Sequence, residues 1–151
     1  MTTSPQFDTQ FQPTGRLLIN AFRGFEKQLL LELQHQGFED ITLSHLNVIR
    51  HLNPEGMKLI ELAKDAALSK QAISKICSNL VERNYIEISW DKHDGRAKTV
   101  NFSKKGTALV KAAINIVQGI EEEYLKELGE TGYTQLREAL ITLNQKQVDT
   151  Y

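Results

Sequence analysis

The sequence predicts a mainly α fold with a small β-hairpin wing, a winged helix-turn-helix flanked by long helices. Three observations predict it. Between Met57 and Gly106, two helical patterns joined by a tight turn precede two short alternating segments around a charged tip, DKHDGR. Apolar residues recur every three or four positions on both sides of that stretch. Positive charge gathers within it.

Residues 1–13 are polar, contain Pro5 and Pro13, and read as a flexible N-terminal arm. From Thr14 to about Gln36, Leu18, Phe22, Phe25, Leu29 and Leu33 share one face of a long helix, with Thr14 as its cap and Gly37 at its end. That stripe holds more apolar surface than a lone helix needs, so residues 14–40 are read as a first dimerisation helix. Residues 41–106 are read as the winged helix-turn-helix module, the part expected to meet DNA. In it Thr42 precedes a short helix whose core contacts are Leu43, Leu46, Ile49 and Leu52. A turn at Asn53–Gly56 leads to a helix from Lys58 to Ala67 with Leu59, Leu62, Ala63 and Ala66 inward. Leu68 plugs the next turn, Ser69 caps the helix that runs to Arg83, and Asn84 tolerates the left-handed conformation that stops it.

Ile86, Ile88 and Trp90 alternate with Tyr85, Glu87 and Ser89, the period of a half-buried strand. Lys98, Val100 and Phe102 share one face of the returning strand, and Gly95 supplies the turn between them. Residues 107–151 are read as C-terminal dimerisation helices. Leu109, Ala113, Ile116, Ile120, Tyr124 and Leu128 line the first, Gly129 and Gly132 break it, and Leu136, Leu140 and Leu143 line the last. A rod of about 35–40 Å at 1.5 Å per residue needs a partner for its apolar face, and a symmetric homodimer supplies one.

With 151 residues the chain has material for one ordinary domain. It has no apolar run of membrane-spanning length, and MTTSPQFDTQ lacks a basic region followed by an apolar one. The expectation is a soluble cytoplasmic protein, away from membranes and nucleoid-associated when on DNA. A single cysteine, Cys77, excludes an internal disulfide, and the four histidines lack metal-ligand spacing. No cofactor, phosphate-loop, nucleophile-elbow or paired-carboxylate motif is present, so no enzyme is expected.

The net charge of -1 conceals an uneven distribution. From Lys58 to Lys111 there are eleven Lys and Arg against six Asp and Glu, a local excess of +5. The rest of the chain has seven against thirteen. Such asymmetry concentrates a positive field on one module, which suits double-stranded DNA despite a pI near 6.4.

The second helix of the module sorts by face. Ile73, Ile76, Cys77 and Leu80 fit the inside, while Gln71, Ala72, Ser74, Lys75, Ser78 and Asn79 fall outside. Gln71 suits an adenine edge, Ala72 a thymine methyl, and Lys75 a guanine or phosphate. Ser69, Lys70 and Ser74 suit backbone positioning. In the wing Arg96 suits minor-groove insertion or phosphate contact, supported by Lys92, His93 and Lys98. Asp94 is expected to hold the Arg96 guanidinium and the hairpin tip. A solvated helix face and an ordinary charged turn are the plainer alternatives.

The runs LSKQAISKICSNLVERNYI and DKHDGRAKTVNFSKKG resemble the multiple-antibiotic-resistance regulator (MarR) family of winged-helix proteins. Asp94, Arg96, Ser103, Lys105 and Gly106 match that family's wing and the start of its next helix. The resemblance implies a homodimeric repressor that binds a pseudo-palindromic operator and is released by a small aromatic or phenolic anion. It also implies terminal dimerisation helices. Asn84 stands where a glycine is common, and Ala72 and Ser78 make the reading face less polar than in some relatives, which favours shape readout.

A ligand cleft is expected between the first two helices and the start of the long one, with Arg16, Arg23, His45 and His51 as polar groups near it. Cys77, on an apolar helix face with no second cysteine to resolve it, reads as an inert core residue. A winged-helix protein-interaction module, or a DNA-binding regulator without a ligand, is the alternative function.

Overall fold

The computed structural model describes residues 10–148. Most of the expected N-terminal arm, including Pro5, lies outside the described residues.

The first helix, α1 (Thr14–His35), begins after Pro13, whose fixed φ of -58° sets the chain direction at a position needing no N–H. No side chain caps it, so Thr14 lies inside the helix instead of capping it. Next come α2 (Leu43–Ile49), β1 (Met57–Lys58), α3 (Leu59–Asp65), α4 (Lys70–Glu82), β2 (Ile86–Trp90), β3 (Lys98–Phe102) and α5 (Lys104–Val148). The strands form one antiparallel sheet in the order β1-β3-β2. Strand β1 is additional to the expected hairpin: Met57 pairs with Val100 and Lys58 with Thr99, so Lys58 belongs to a strand and not to the helix after it.

Three helices end by one device. The residues Gly37, Ala67 and Asn84 each take a left-handed φ, of 100°, 52° and 62°. The residue after each folds back, its N–H donating to a carbonyl five residues earlier: Phe38 to Leu33 O at 3.1 Å, Leu68 to Ala63 O at 2.9 Å, and Tyr85 to Leu80 O at 2.9 Å. Phe38 and Leu68 pack against the core from half-buried positions, and Tyr85 is fully buried in it. Tyr85 is therefore interior, although strict strand alternation places it opposite Ile86.

The core joins Leu33 of α1, Leu46 and Val48 of α2, Leu62 of α3, Ile73, Cys77 and Leu80 of α4, Val100 of β3, and Leu109, Ile116 and Ile120 of α5. Val48 takes the buried position expected of Leu43, which is 43% exposed. Burying about a dozen large apolar side chains, at roughly 1.5–3 kcal/mol each, holds the two helices of the turn motif against the sheet.

Helix α5 is interrupted at Gly129, where φ 70° and ψ 167° leave helical space. Gly132 lies beyond the break, within the helix that follows. The chain there reverses: Tyr133 donates to Glu121, and Arg137 reaches the same carboxylate at 3.3 Å. A straight helix would separate residues 121 and 133 by about 18 Å. The stem before the break packs on α1, where Gln28 Nε2 donates to Glu123 at 3.0 Å. Leu17, Leu18, Ile19 and Phe22 of α1, with Leu128, Leu136, Ile141 and Leu143 of α5, remain exposed. So much apolar surface on two adjoining elements exceeds what an isolated domain normally shows to water.

Candidate nucleic-acid interface

Helix α4 begins at Ser69, whose Oγ accepts the Ala72 N–H at 3.1 Å. The cap leaves Gln71, Ser74, Lys75 and Ser78 exposed along one face while Ile73, Cys77 and Leu80 point into the core. Lys70 is exposed beside them, and Ala72 is half-buried at the edge of the face.

Asn79 departs from the expected pattern. It is half-buried, and its Oδ1 lies 2.8 Å from His45 Nε2 and also accepts from Arg83 Nη1. His45 in turn is buried and completes a capping box at the start of α2. Its Nδ1 accepts the Thr42 N–H at 3.1 Å, while its own N–H donates to Thr42 Oγ1. Because the Thr42 N–H can only donate, the ring proton sits on Nε2 and points at Asn79. Burial, the largest influence, pushes the His45 pKa below its ordinary value, and the nearby Arg83 charge adds to this. The bond to Asn79 and the more distant Asp40 charge act the other way. His45 and Asn79 are thus a neutral clamp between α2 and α4.

Of the four expected cleft residues, His45 lines the first of two shallow cavities. Arg16 and Arg23 are exposed on α1, and His51 is half-buried after α2. A shallow cavity of about 370 Å³ is lined by Ser44, His45, Ala72, Lys75, Ile76 and Asn79. A second, of about 310 Å³, is lined by Phe22, Glu26, Leu43, Ser44, Asn47, Leu68 and Ile76. The first lies between α2 and α4, the second also reaches α1 and the turn, and neither is lined by α5, in contrast to the expected position. Leu43, displaced from the core, forms part of the second wall.

The wing is organised by two aspartates. Asp91 Oδ1 accepts the N–H groups of His93 at 2.8 Å and Asp94 at 3.2 Å, which lowers its pKa. Asp94 Oδ1 accepts the Arg96 N–H at 3.1 Å, and the Ala97 N–H closes the turn onto Asp94 O at 2.9 Å. Asp94 therefore holds the backbone of Arg96 and not its guanidinium, which makes no ion pair among the described residues. Both carboxylates are spent on the tip's own amides, and Lys92, His93 and Arg96 stay exposed. Sequence reasoning missed Asp91; its signal is an aspartate two and three residues before the amides it accepts from.

The base of the wing is fixed to α5 by the Ser103–Lys105–Gly106 segment. Ser103 Oγ donates to Asn84 O and accepts the Gly106 N–H at 3.0 Å. Lys105 Nζ donates to Arg83 O at 3.0 Å, stands 4.1 Å from the Tyr85 ring centroid and lies 3.6 Å from Asp40. Tyr85 Oη donates to Asp40 at 2.5 Å. Burial raises the Asp40 pKa, but the Tyr85 bond and the Lys105 charge outweigh it and the net shift is downward. Gly106 leaves no room for a side chain: a Cβ there would stand 1.9 Å from Tyr85 O. These contacts fix the exit of α4 and the entry of β2 on the first turn of α5, which sets the wing's position beside α4.

A family model described as the MarR family matches residues 39–97, the segment from α2 through the wing tip. The winged-helix module is similar to the MarR family over these residues. At full length, the chain is 25% identical over 137 residues to the HTH-type transcriptional regulator TcaR of Staphylococcus aureus strain Newman. That match covers 88% of this chain and 87% of TcaR. A crystal structure of MarR superposes with a TM-score of 0.76 at 20% identity, covering 92% of this chain and all of that one. A cysteine-to-serine variant of MarR from E. coli, solved with operator DNA, gives 0.72 at 21% identity over 87% of this chain and 93% of that one. The MarR-family fold thus extends beyond the matched module to α1 and α5.

Proposed function

We propose that this chain is a homodimeric, DNA-binding transcriptional regulator, a repressor at a pseudo-palindromic operator that a small aromatic or phenolic anion releases. The observation that carries the reading is the pairing of two projections on one rigid module. Helix α4 offers Gln71, Ser74, Lys75 and Ser78, and the wing tip offers Lys92, His93 and Arg96 with its own carboxylates turned inward. A helix in the major groove with a basic hairpin at the flanking backbone is the geometry such a surface fits.

Dimerisation is supported by the exposed apolar residues of α1 and α5, among them Leu17, Leu18, Phe22, Leu136 and Ile141, which a second copy would cover. Two α4 helices one helical turn apart would then meet two half-sites. TcaR bears the name of a transcriptional regulator, and the E. coli MarR variant was solved on operator DNA; both lend weight to the same role here. The release step draws on the cavity behind α4. Ile76 and Ala72 give an aromatic ring apolar contact, and Lys75 gives its carboxylate a cation. Such a ligand would occupy Lys75 and press against the His45–Asn79 clamp.

Selection of bound duplexes from random DNA, repeated with salicylate-type aromatic acids present, tests the whole reading. Enrichment of an inverted repeat that fades with the acid is the expected result. Failure to retain any duplex at low salt overturns it, and enrichment indifferent to the acids removes the release step alone.

A further inference from the structure

The row of β2 side chains on the α4 side of the sheet runs out of the core toward the wing tip. Ile86 is buried, Ile88 packs on the core from a half-buried position, and Trp90 is 62% exposed. Strand β2 packs against α4, so by alternation the indole stands on the side of the wing that faces the recognition helix. Its cross-strand partner is Lys98, whose Nζ lies 5.4 Å from the ring centroid. The cation covers part of the indole and fixes the ring's position at the stem, directly before the Asp91–Ala97 tip.

A tryptophan this exposed costs solvation of a large apolar face, and the surroundings specify what would cover it. The neighbouring free charges are cationic: Lys98 on the ring, then Lys92 and Arg96 at the tip. Asp91, the next residue along the chain, is engaged with two backbone amides of the tip. An apolar plate ringed by ammonium and guanidinium groups complements a deoxyribose between two phosphates. We propose that Trp90 is a DNA-contact residue of the wing. Its indole packs on a backbone sugar flanking the groove that Arg96 enters, and Lys98 places its ammonium against the adjoining phosphate. The contact is independent of base sequence and rests on the DNA-binding reading above.

Trp90 is the single tryptophan of the chain, so its emission reports on this contact alone. The experiment titrates the full-length protein with a mixed-sequence duplex in about 50 mM salt, where phosphate contacts are strong. Duplex binding is followed separately by anisotropy of a fluorescein-labelled strand. Binding is expected to quench Trp90 and protect it from acrylamide, with both effects reversed by high salt. Trp90→Ala should weaken binding roughly 5- to 10-fold while Trp90→Phe, which keeps a flat apolar face, stays within about 3-fold of the parent. Thermal melting checks that both variants remain folded. Duplex binding with unchanged Trp90 emission overturns the proposal and leaves DNA binding standing. Quenching with a Trp90→Ala variant of parental affinity also overturns it, since the indole would then lie near DNA without holding it. A parent protein that binds no duplex by anisotropy overturns the DNA reading and this one with it.

Discussion

His45 of α2 and Asn79 of α4 are joined across 34 residues of sequence by a 2.8 Å contact between Nε2 and Oδ1. The α2 cap, not this bond, requires a neutral imidazole, because Nδ1 must keep a lone pair for the Thr42 N–H. Protonation would break the α2 cap and place a cation beside Arg83, whose side chain shares Asn79.

A pH dependence follows with a definite sign. The folded-state pKa of His45 lies below its ordinary 6.5, so the unfolded chain takes up the proton first. The stability due to neutral His45 is present above pH 6.5 and is lost as pH falls from there through the folded value. Melting temperatures measured from pH 8 to pH 5 should fall across that window in the parent. The fall should be shallower in His45→Gln, an uncharged side chain. Parallel curves for the two proteins would refute the assignment.

Gly106→Ala should destabilise the fold by about 3 kcal/mol, the upper range for forcing atoms into a filled site. Its Cβ would meet backbone, Tyr85 O at 1.9 Å, and backbone cannot rotate away as a flexible side chain can. Gly24 on α1 has nothing within 4 Å of a Cβ, so Gly24→Ala should gain up to about 1 kcal/mol from helix propensity. Urea midpoints of the two variants measure the contrast.

Cys77 is fully buried and burial pushes its pKa up to about 11. At pH 8 the native protein should resist iodoacetamide and react only after denaturation, because neither thiolate nor access is available. Rapid alkylation of native protein, read by mass, would contradict that.

Arg96→Ala should weaken binding to many duplexes alike and lower the salt slope by about one, as for a lost phosphate contact. Gln71→Ala should instead erode preference at one or two base pairs, at about 1–3 kcal/mol for the favoured base. Competition titrations against a panel of single-base operator variants separate the two outcomes. A loss at Arg96 confined to one sequence would shift it from backbone to base contact.

Much of the fold was legible because its signals are local. The Ser69 cap, the left-handed Asn84, the inward set Ile73–Cys77–Leu80 and the break at Gly129 each depend on residues within a turn or two. Three interior choices were not legible. Val48 instead of Leu43 is buried, a choice that depends on which face of α2 packs on α4. Tyr85 turns inward because it follows a left-handed residue and finds Asp40, 45 residues away. Strand β1 is two residues long, too short for any period, and exists only by pairing with Val100 and Thr99.

The candidate site divides along the same line. Sequence alone determined that α4 would present Gln71, Ser74, Lys75 and Ser78 and that a basic tip would follow, since helical period and local charge specify both. Tertiary structure alone decided that Asn79 is withdrawn into a clamp with His45, that Arg16, Arg23 and His51 do not line the cavities, and that Asp94 holds an amide. The physical reason is that a side chain's hydrogen-bond partner is chosen by what packing brings within about 3 Å, and period and charge carry no record of that distance.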